Sequence, residues 1–460
     1  MDAKHAQPVM NQVQCDPVKR ALVLLTATLL AFALCTTAYG AAHSKRHARP
    51  IELVWHVESV DGQPVESQRG DEQINPASVV KVATSLWALE RLGPDFRFET
   101  RFFARGRLDR EHRTLRGDLV VQGSGDPDFH VENAFLVAQA LNDMAVERVT
   151  GAVIVNRSFW MGWENGSAGR EPDPVKRGIL MAARLRQALN PNLWNRATRA
   201  TWREFAERRG LPVSHPPHVV VLGGAGTDGD VTAGEMLIVH RSQSLAEVLR
   251  RFNCYSNNDI ERVAADLGPT QDLVSLLVAR CEAPPAVVQL ETASGLGSNR
   301  LTPRLIVRLL REFRQTCQRL GVPLESVLPV AGCDPGTVTH FFPLLASGPD
   351  TTSVIGKTGT LTNTDGGVAV LAGYARTGRG EFVFCVAVPN AAGRLKSARR
   401  AEEQWVLDFL ARNDGGQPRT CASPLPTPDA GANLILLGDH VLPPLGGPHV
   451  SKPPVTAPVN

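Results

Sequence analysis

The chain has eight cysteines in 460 residues but no Cys-x-x-Cys pair. A zinc ribbon or a dithiol redox centre is built on paired thiolates at that spacing, so both are excluded, and no metal or other cofactor is expected. Excess charge is also scarce. A net charge of +3, with no long basic stripe interleaved with aromatics, argues against a nucleic-acid partner. Past residue 40 no stretch is long and apolar enough to span a bilayer. What is present is ordinary globular material, 43% hydrophobic and 21% charged, and the length calls for two or more folded units plus tails.

The N-terminus carries its own signal. Lys19-Arg20 precedes an apolar run from Ala21 to Cys35, followed by small residues at Ala38 and Gly40. This pattern predicts a secretory signal peptide over 1–40, cleaved after Gly40. The run is shorter than the ~20 residues a span needs, which leaves the mature chain peripheral to the membrane at most. Bulky Leu34 before Cys35 makes that cysteine a poor lipidation site. Six cysteines follow Gly40, and in an oxidising compartment one or two disulfides can form, with a connectivity the sequence does not reveal. Cys385, inside an apolar strand, reads as a buried thiol.

The stretch most suggestive of chemistry is Asn75-Pro76-Ala77-Ser78-Val79-Val80-Lys81. A serine hydroxyl attacks carbonyls only when a base within hydrogen-bond reach can take its proton. Asn75 suits an N-cap and Pro76 a first helical position, which predicts a helix from Pro76 to about Leu92, closed by Gly93-Pro94. On that helix Ser78 and Lys81 share a face one turn apart. Ser78 would also lie among the unpaired N–H groups of the first turn. Ser-x-x-Lys is short, however, and recurs by chance in many chains.

Further along, Ile51–Val57 reads as a strand with a hairpin turn at Val60-Asp61-Gly62-Gln63. From about Arg101 to Arg157 the texture is short alternating strands with glycine-rich turns. An Arg-rich, tryptophan-dotted and partly helical segment runs on to about Arg209, with no purpose evident from its residues. Gly224-Ala225-Gly226-Thr227-Asp228-Gly229 fits a dinucleotide fingerprint, but Val231-Thr232-Ala233-Gly234 opens a helix poorly, so a turn between strands is expected instead. Helices are predicted over Ser244–Phe252, Asp259–Leu267, Pro303–Leu320 and Arg399–Arg412. Between the first two lies Ser256-Asn257-Asn258. Strands over Ser353–Thr360, Gly367–Arg376 and Glu381–Val388 include Lys357-Thr358-Gly359-Thr360 at a sheet edge, where flanking glycines would let a substrate backbone approach. Ten prolines after residue 415 predict a disordered tail over 415–460.

Alone, Ser-x-Asn is a capping signal and Lys-Thr-Gly an ordinary lysine turn. Together and in this order, Ser-x-x-Lys, Ser-x-Asn and Lys-Thr-Gly are the motif set of serine β-lactamases and penicillin-binding proteins. The chain further resembles the penicillin-binding D-alanyl-D-alanine carboxypeptidase/endopeptidase family that carries a domain inserted between the first two motifs. The resemblance rests on Ser78 with Lys81, Leu92–Phe98, Gly117-Asp118-Leu119, Gly125-Asp126-Pro127, Ser256 with Asn258, Ser294-Gly295-Leu296, Leu328–Gly332, Lys357–Leu361 and Leu371–Tyr374.

The resemblance implies an α/β sandwich, an antiparallel five-stranded sheet with helices on both faces, formed by 41–100 and 235–414. A smaller, mostly β inserted domain would occupy 101–234. It implies that Ser78 attacks a D-Ala-D-Ala peptide with Lys81 as base, while Ser256 assists proton transfer and Asn258 binds a substrate amide. Lys357, Thr358, Gly359 and Thr360 would receive the terminal carboxylate. The partners would be peptidoglycan peptides ending in D-Ala-D-Ala, with β-lactam antibiotics as acylating inhibitors, in the periplasm.

There are departures. Ser78 and Ser256 are 178 residues apart, shorter than in larger members, and the deficit falls after Trp160, where those members nest a further domain. No aspartate aligns near Gly162-Trp163-Glu164-Asn165 with the residue that contacts the third-residue amine. Glu164 is the nearest acid, which leaves diaminopimelate selectivity open. The rival readings are a serine β-lactamase, disfavoured by the inserted segment, and a catalytically idle cell-wall binding protein, disfavoured by three intact motifs.

Overall fold

The computed structural model describes residues 50–162, 171–228, 234–430 and 433–436. The expected signal peptide, residues 163–165 with Glu164, Val231–Ala233, and the tail past 436 lie outside the described residues. From Glu52 onward the chain forms one compact unit.

The chain begins with strands β1 (Val54–Ser59) and β2 (Pro64–Gln68), then enters helix α1 (Val80–Leu92). It continues through β3 (Glu99–Asp109), β4 (Thr114–Gly123), α2 (Val131–Asp143), β5 (Arg148–Val149) and β6 (Val153–Val155). Next come α3 (Pro174–Leu189), α4 (Arg196–Arg209), β7 (Val220–Val221), β8 (Ala225–Thr227) and β9 (Glu235–Arg241). Helices α5 (Leu245–Tyr255), α6 (Ile260–Leu267), α7 (Thr270–Arg280), α8 (Pro303–Arg319), α9 (Thr337–Phe341) and α10 (Pro343–Ser347) follow. Strands β10 (Val354–Leu361), β11 (Val368–Thr377) and β12 (Gly380–Pro389), helix α11 (Leu395–Arg412) and β13 (Asn433–Leu436) complete it.

The five-stranded sheet has the order β10-β11-β12-β1-β2 with antiparallel pairing throughout, as expected. Both of its faces are covered. Along β12, Val383, Cys385 and Ala387 pack into the core that holds α1 and α8, while Phe384 and Val386 pack against Trp405, Val406 and Phe409 of α11. A strand buried on both faces reads as a continuous apolar run, which is why Phe382–Val388 showed no alternation. Helix α1 is buried from Val80 through Leu89. A helix apolar nearly all round must be central, and α5, α6 and α8 surround it.

The second sheet runs β13-β9-β3-β4-β5-β7, with β6 pairing in parallel with β4 and β8. It starts at Glu99 and closes with Arg241, so the expected insertion bounds of 101 and 234 cut through β3 and miss β9. Gly226 lies in β8, paired in parallel with Ile154 of β6, so the glycine-rich motif opens no helix there.

The Arg-rich segment becomes α3 and α4, whose arginines satisfy backbone and carboxylate groups. Arg184 donates to Met161 O, Arg186 to Val221 O, and Arg208 and Arg209 pair with buried Asp429. Its tryptophans 194 and 202 cluster with Phe135 and Phe205.

The disordered tail expected from residue 415 is corrected over 416–430 and 433–436. This stretch runs as a strap across α5 and ends as β13 on the free edge of β9. Prolines provide no N–H, so the strap is held through its carbonyls. Arg250 donates to Ser423 O, Arg251 to Pro426 O and Gln243 to Thr427 O. A disulfide joins Cys333 to Cys421 across a sequence separation of 88. Cys385 is buried as a free thiol, as expected, and burial pushes its pKa up.

Closing a loop of this size restricts the unfolded chain. Cys421→Ser is therefore expected to lower the unfolding free energy by about 2–4 kcal/mol, read from denaturant midpoints in oxidising buffer. An unchanged midpoint would show that the disulfide adds nothing to what the strap's hydrogen bonds already hold.

Candidate active site

The predicted helix does begin near Asn75, but not as a simple capped helix. Ala77 takes a left-handed conformation at φ +48, residues Ala77–Val79 form a 3-10 turn, and the α-helix starts at Val80. Asn75 Oδ1 accepts from Ala77 N at 3.0 Å, and its amide donates to Gly297 O and to Asp365, which is also paired with Arg300. A non-glycine residue at positive φ costs of order 1–3 kcal/mol and persists only where its surroundings over-determine it. Two glycines wedge this turn. A Cβ on Gly295 would lie 1.9 Å from Ala77 O, and one on Gly359 would lie 2.5 Å from Pro76 O.

Ser78 is partly exposed at the outer end of the turn, whereas Lys81 is wholly buried beneath it. Lys81 Nζ lies 2.9 Å from Ser78 Oγ, 2.8 Å from Asn258 Oδ1 and 2.7 Å from Ser294 O. Burial, with the nearby Lys357 ammonium adding to it, holds the pKa of Lys81 well below the ordinary lysine range; Glu261 opposes this weakly. A lysine that is unprotonated near neutrality can take the serine proton.

Helix α5 ends at Ser256, which takes the left-handed conformation at φ 56 and turns the chain toward α6. Ser256 Oγ accepts from Lys357 Nζ at 3.0 Å, and Lys357 also donates to Thr358 O at 2.9 Å. The Ser-x-Asn motif thus splits: Asn258 contacts Lys81 and Ser256 contacts Lys357. Lys357 is fully buried, and that burial brings its pKa down to about 7.

Strand β10 stands at the sheet edge, as expected. Pro329 and Ala331 occupy its outer side as far as Gly356. From Lys357 onward no other segment pairs with that side among the described residues. Lys357 and Thr358 point to opposite faces, as strand neighbours must. The Thr358 hydroxyl donates to Thr337 Oγ1 at 2.7 Å, and Thr360 Oγ1 accepts from Arg399 Nη2 at 3.1 Å. All eight residues singled out in the sequence therefore surround one groove between α1, the α5–α6 junction and β10.

Four contributors carried no role in the sequence reading. Ser294 gives its carbonyl to Lys81. Glu261 accepts from Ser294 N at 2.6 Å and so fixes that carbonyl. Thr337 and Arg399 engage the two threonines of β10. Ser294-Gly295 stood out within a recurring motif; the other three had no local signal, since each is brought in by the packing of a different helix.

Gly295→Ala should force the Ala77 carbonyl away and tilt the Ser78 turn. The expected outcome is a folded protein whose Ser78 acylation is at least roughly 10-fold slower, at a stability cost of about 1–3 kcal/mol. Unchanged acylation would mean that the turn does not depend on this contact.

With the geometry in place, comparison with known proteins is informative. The model of the D-Ala-D-Ala carboxypeptidase 3 (S13) family matches residues 53–178 and 219–412, well over half of the chain. A stretch of 104 residues is 25% identical to the D-alanyl-D-alanine carboxypeptidase DacB of Haemophilus influenzae, covering 23% of this chain and 21% of that relative's length. Among solved structures, a predatory peptidoglycan endopeptidase of Bdellovibrio bacteriovorus, Bd3459, superposes with a TM-score of 0.68 at 21% identity, over 84% of this chain and 100% of the other. Penicillin-binding protein 4 of Haemophilus influenzae gives 0.53 at 19% identity, over 78% and 97%. At these identities the two structures speak for the fold.

Proposed function

We propose that this chain, which belongs to the D-Ala-D-Ala carboxypeptidase 3 (S13) family of serine peptidases, cleaves peptidoglycan stem peptides and cross-links at D-Ala-D-Ala bonds through an acyl-enzyme on Ser78. The observation that carries this reading is the 2.9 Å contact between Ser78 Oγ and a buried Lys81 amine.

Neutral Lys81 accepts the Ser78 proton as Oγ adds to the peptide carbonyl. The backbone N–H groups of Ser78 and Thr360 stabilise the oxyanion, a contribution of which one lost donor typically removes ~3 kcal/mol. Collapse breaks the C–N bond, the proton passes from Lys81 to the leaving amine with Ser256 assisting, and an ester remains on Ser78. Water then attacks that ester and releases the shortened peptide. Asn258 positions both Lys81 and the substrate amide. The open edge of β10 receives the substrate backbone as an added strand, with Gly359 allowing close approach. Lys357, Thr358 and Thr360 form the end of the groove that takes the C-terminal carboxylate.

The Cys333–Cys421 disulfide supports action outside the cytoplasm, in the periplasm, since such bonds persist in oxidising compartments. None of the described helices is long and apolar enough to cross a membrane.

The direct test is intact mass spectrometry of residues 41–460 after brief incubation with benzylpenicillin. A persistent single adduct is expected, absent from Ser78→Ala, whose peptidase activity should fall below roughly 10⁻⁴ of wild type. Drug consumed without a lasting adduct would indicate a β-lactamase. Neither adduct nor turnover would indicate a binding protein.

The two lysines also predict a pH profile. Lys81 stays unprotonated well below the ordinary lysine range, so acylation should not require alkaline buffer. Lys357 is an ammonium below about pH 7 and neutral above it. Affinity for a carboxylate-ended peptide should therefore weaken as pH rises through about 7, by up to tenfold per unit, while a C-terminal amide peptide shows no such fall. Parallel profiles for the two peptides would exclude Lys357 as a carboxylate partner.

A further inference from the structure

The carboxylate end of the groove has an unresolved charge requirement. Lys357 is fully buried, its amine already meets Ser256 Oγ and Thr358 O, and burial brings its pKa to the edge of neutrality. The Thr358 hydroxyl is committed to Thr337. A terminal carboxylate bound there would need a cation whose charge does not depend on pH.

Arg399 meets that requirement. It sits on α11, more than a full turn past Leu395, and its Nη2 reaches Thr360 Oγ1 on the strand that carries the Lys-Thr-Gly motif. Its guanidinium lies 3.5 Å from the centroid of the Phe341 ring, which fixes its plane. The side chain is partly exposed, and its Nε is buried with no hydrogen-bond partner among the described residues. One helical turn on, Glu402 is wholly buried, with neither carboxylate oxygen partnered among the described residues. Burial raises the Glu402 pKa well above the usual carboxylate range, so that acid does not cancel the arginine's charge. Thr360, by accepting from Arg399, keeps its own O–H free to donate outward.

We propose that Arg399, acting beside and through Thr360, is the cation that recognises the free C-terminal carboxylate of the substrate and sets the preference for peptides with an unblocked end. This deepens the reading of the site as a D,D-peptidase and rests on it. Arginine suits the task because its guanidinium stays charged at every working pH and offers several donors in one plane to a carboxylate. An extended edge strand plus a cation on the covering helix defines a substrate class: a short peptide bearing a carboxylate on its last residue.

The test compares wild type, Arg399→Gln and Arg399→Lys on an N-acylated peptide ending in D-Ala-D-Ala and on the same peptide with a C-terminal amide. Arg399→Gln should lower kcat/KM for the free acid roughly 10- to 100-fold, chiefly through KM, and change the amide less than about threefold. Arg399→Lys should recover part of the acid preference. Equal losses on both peptides would assign Arg399 a structural role and overturn the proposal, as would an unchanged acid preference. Failure of the wild type to cleave the acid peptide would instead strike at the peptidase reading itself.

Discussion

Everything at the site depends on keeping one lysine amine dry and unprotonated. Lys81 lies on the innermost helix, beneath Ser78, with its three hydrogen-bond directions taken by the nucleophile, by Asn258 and by the Ser294 carbonyl. Each partner comes from a different part of the chain, so the amine ties the nucleophile turn, the α5–α6 junction and the 292–297 loop to a common point. Desolvation alone would depress the pKa, and a second buried lysine nearby reinforces it, because two ammonium groups in low dielectric disfavour each other. The apolar bulk of α1 is therefore part of the chemistry as well as of the core.

The turn above the amine is shaped by close backbone approach. A left-handed alanine precedes Ser78, and Gly295 and Gly359 leave just enough space for the carbonyls of Ala77 and Pro76. Asp365 extends the restraint by linking Asn75 to Arg300, so that the loop after β10 is tied to the residue that caps the nucleophile turn. Strand and turn thus hold each other in register across the groove.

The strap gives a second view of how the molecule holds its site. Helix α5 ends at Ser256, and its arginines 250 and 251 are buried in pairs with Asp334 and Asp128 while also taking carbonyls from the strap. A buried ion pair of this kind contributes little net stability but fixes geometry, since breaking it strands a charge. The strap closes over those pairs, is fastened by Cys421, and delivers β13 to an otherwise open sheet edge, where unpaired backbone would invite association.

The sequence by itself determined the sandwich and its central features. Long apolar runs marked β10–β12, amphipathic periodicity marked α5, α6 and α8, and three short motifs in order marked the groove, because period, run length and spacing are local properties. Ser78 and Lys81 needed only one helical turn to meet. Only the tertiary structure decided which groups face that pair. The split of Ser256 and Asn258 between two lysines, the commitment of Thr358 to Thr337, and the arrival of Glu261 and Arg399 all depend on packing between elements far apart in the chain. The Cys333–Cys421 pairing and the docked strap belong to the same class. Proline content reports a segment that cannot form a helix or an inner strand, but whether it is solvated depends on donors waiting elsewhere, here the side chains of Gln243, Arg250 and Arg251. Such donors have no sequence address near the residues they serve.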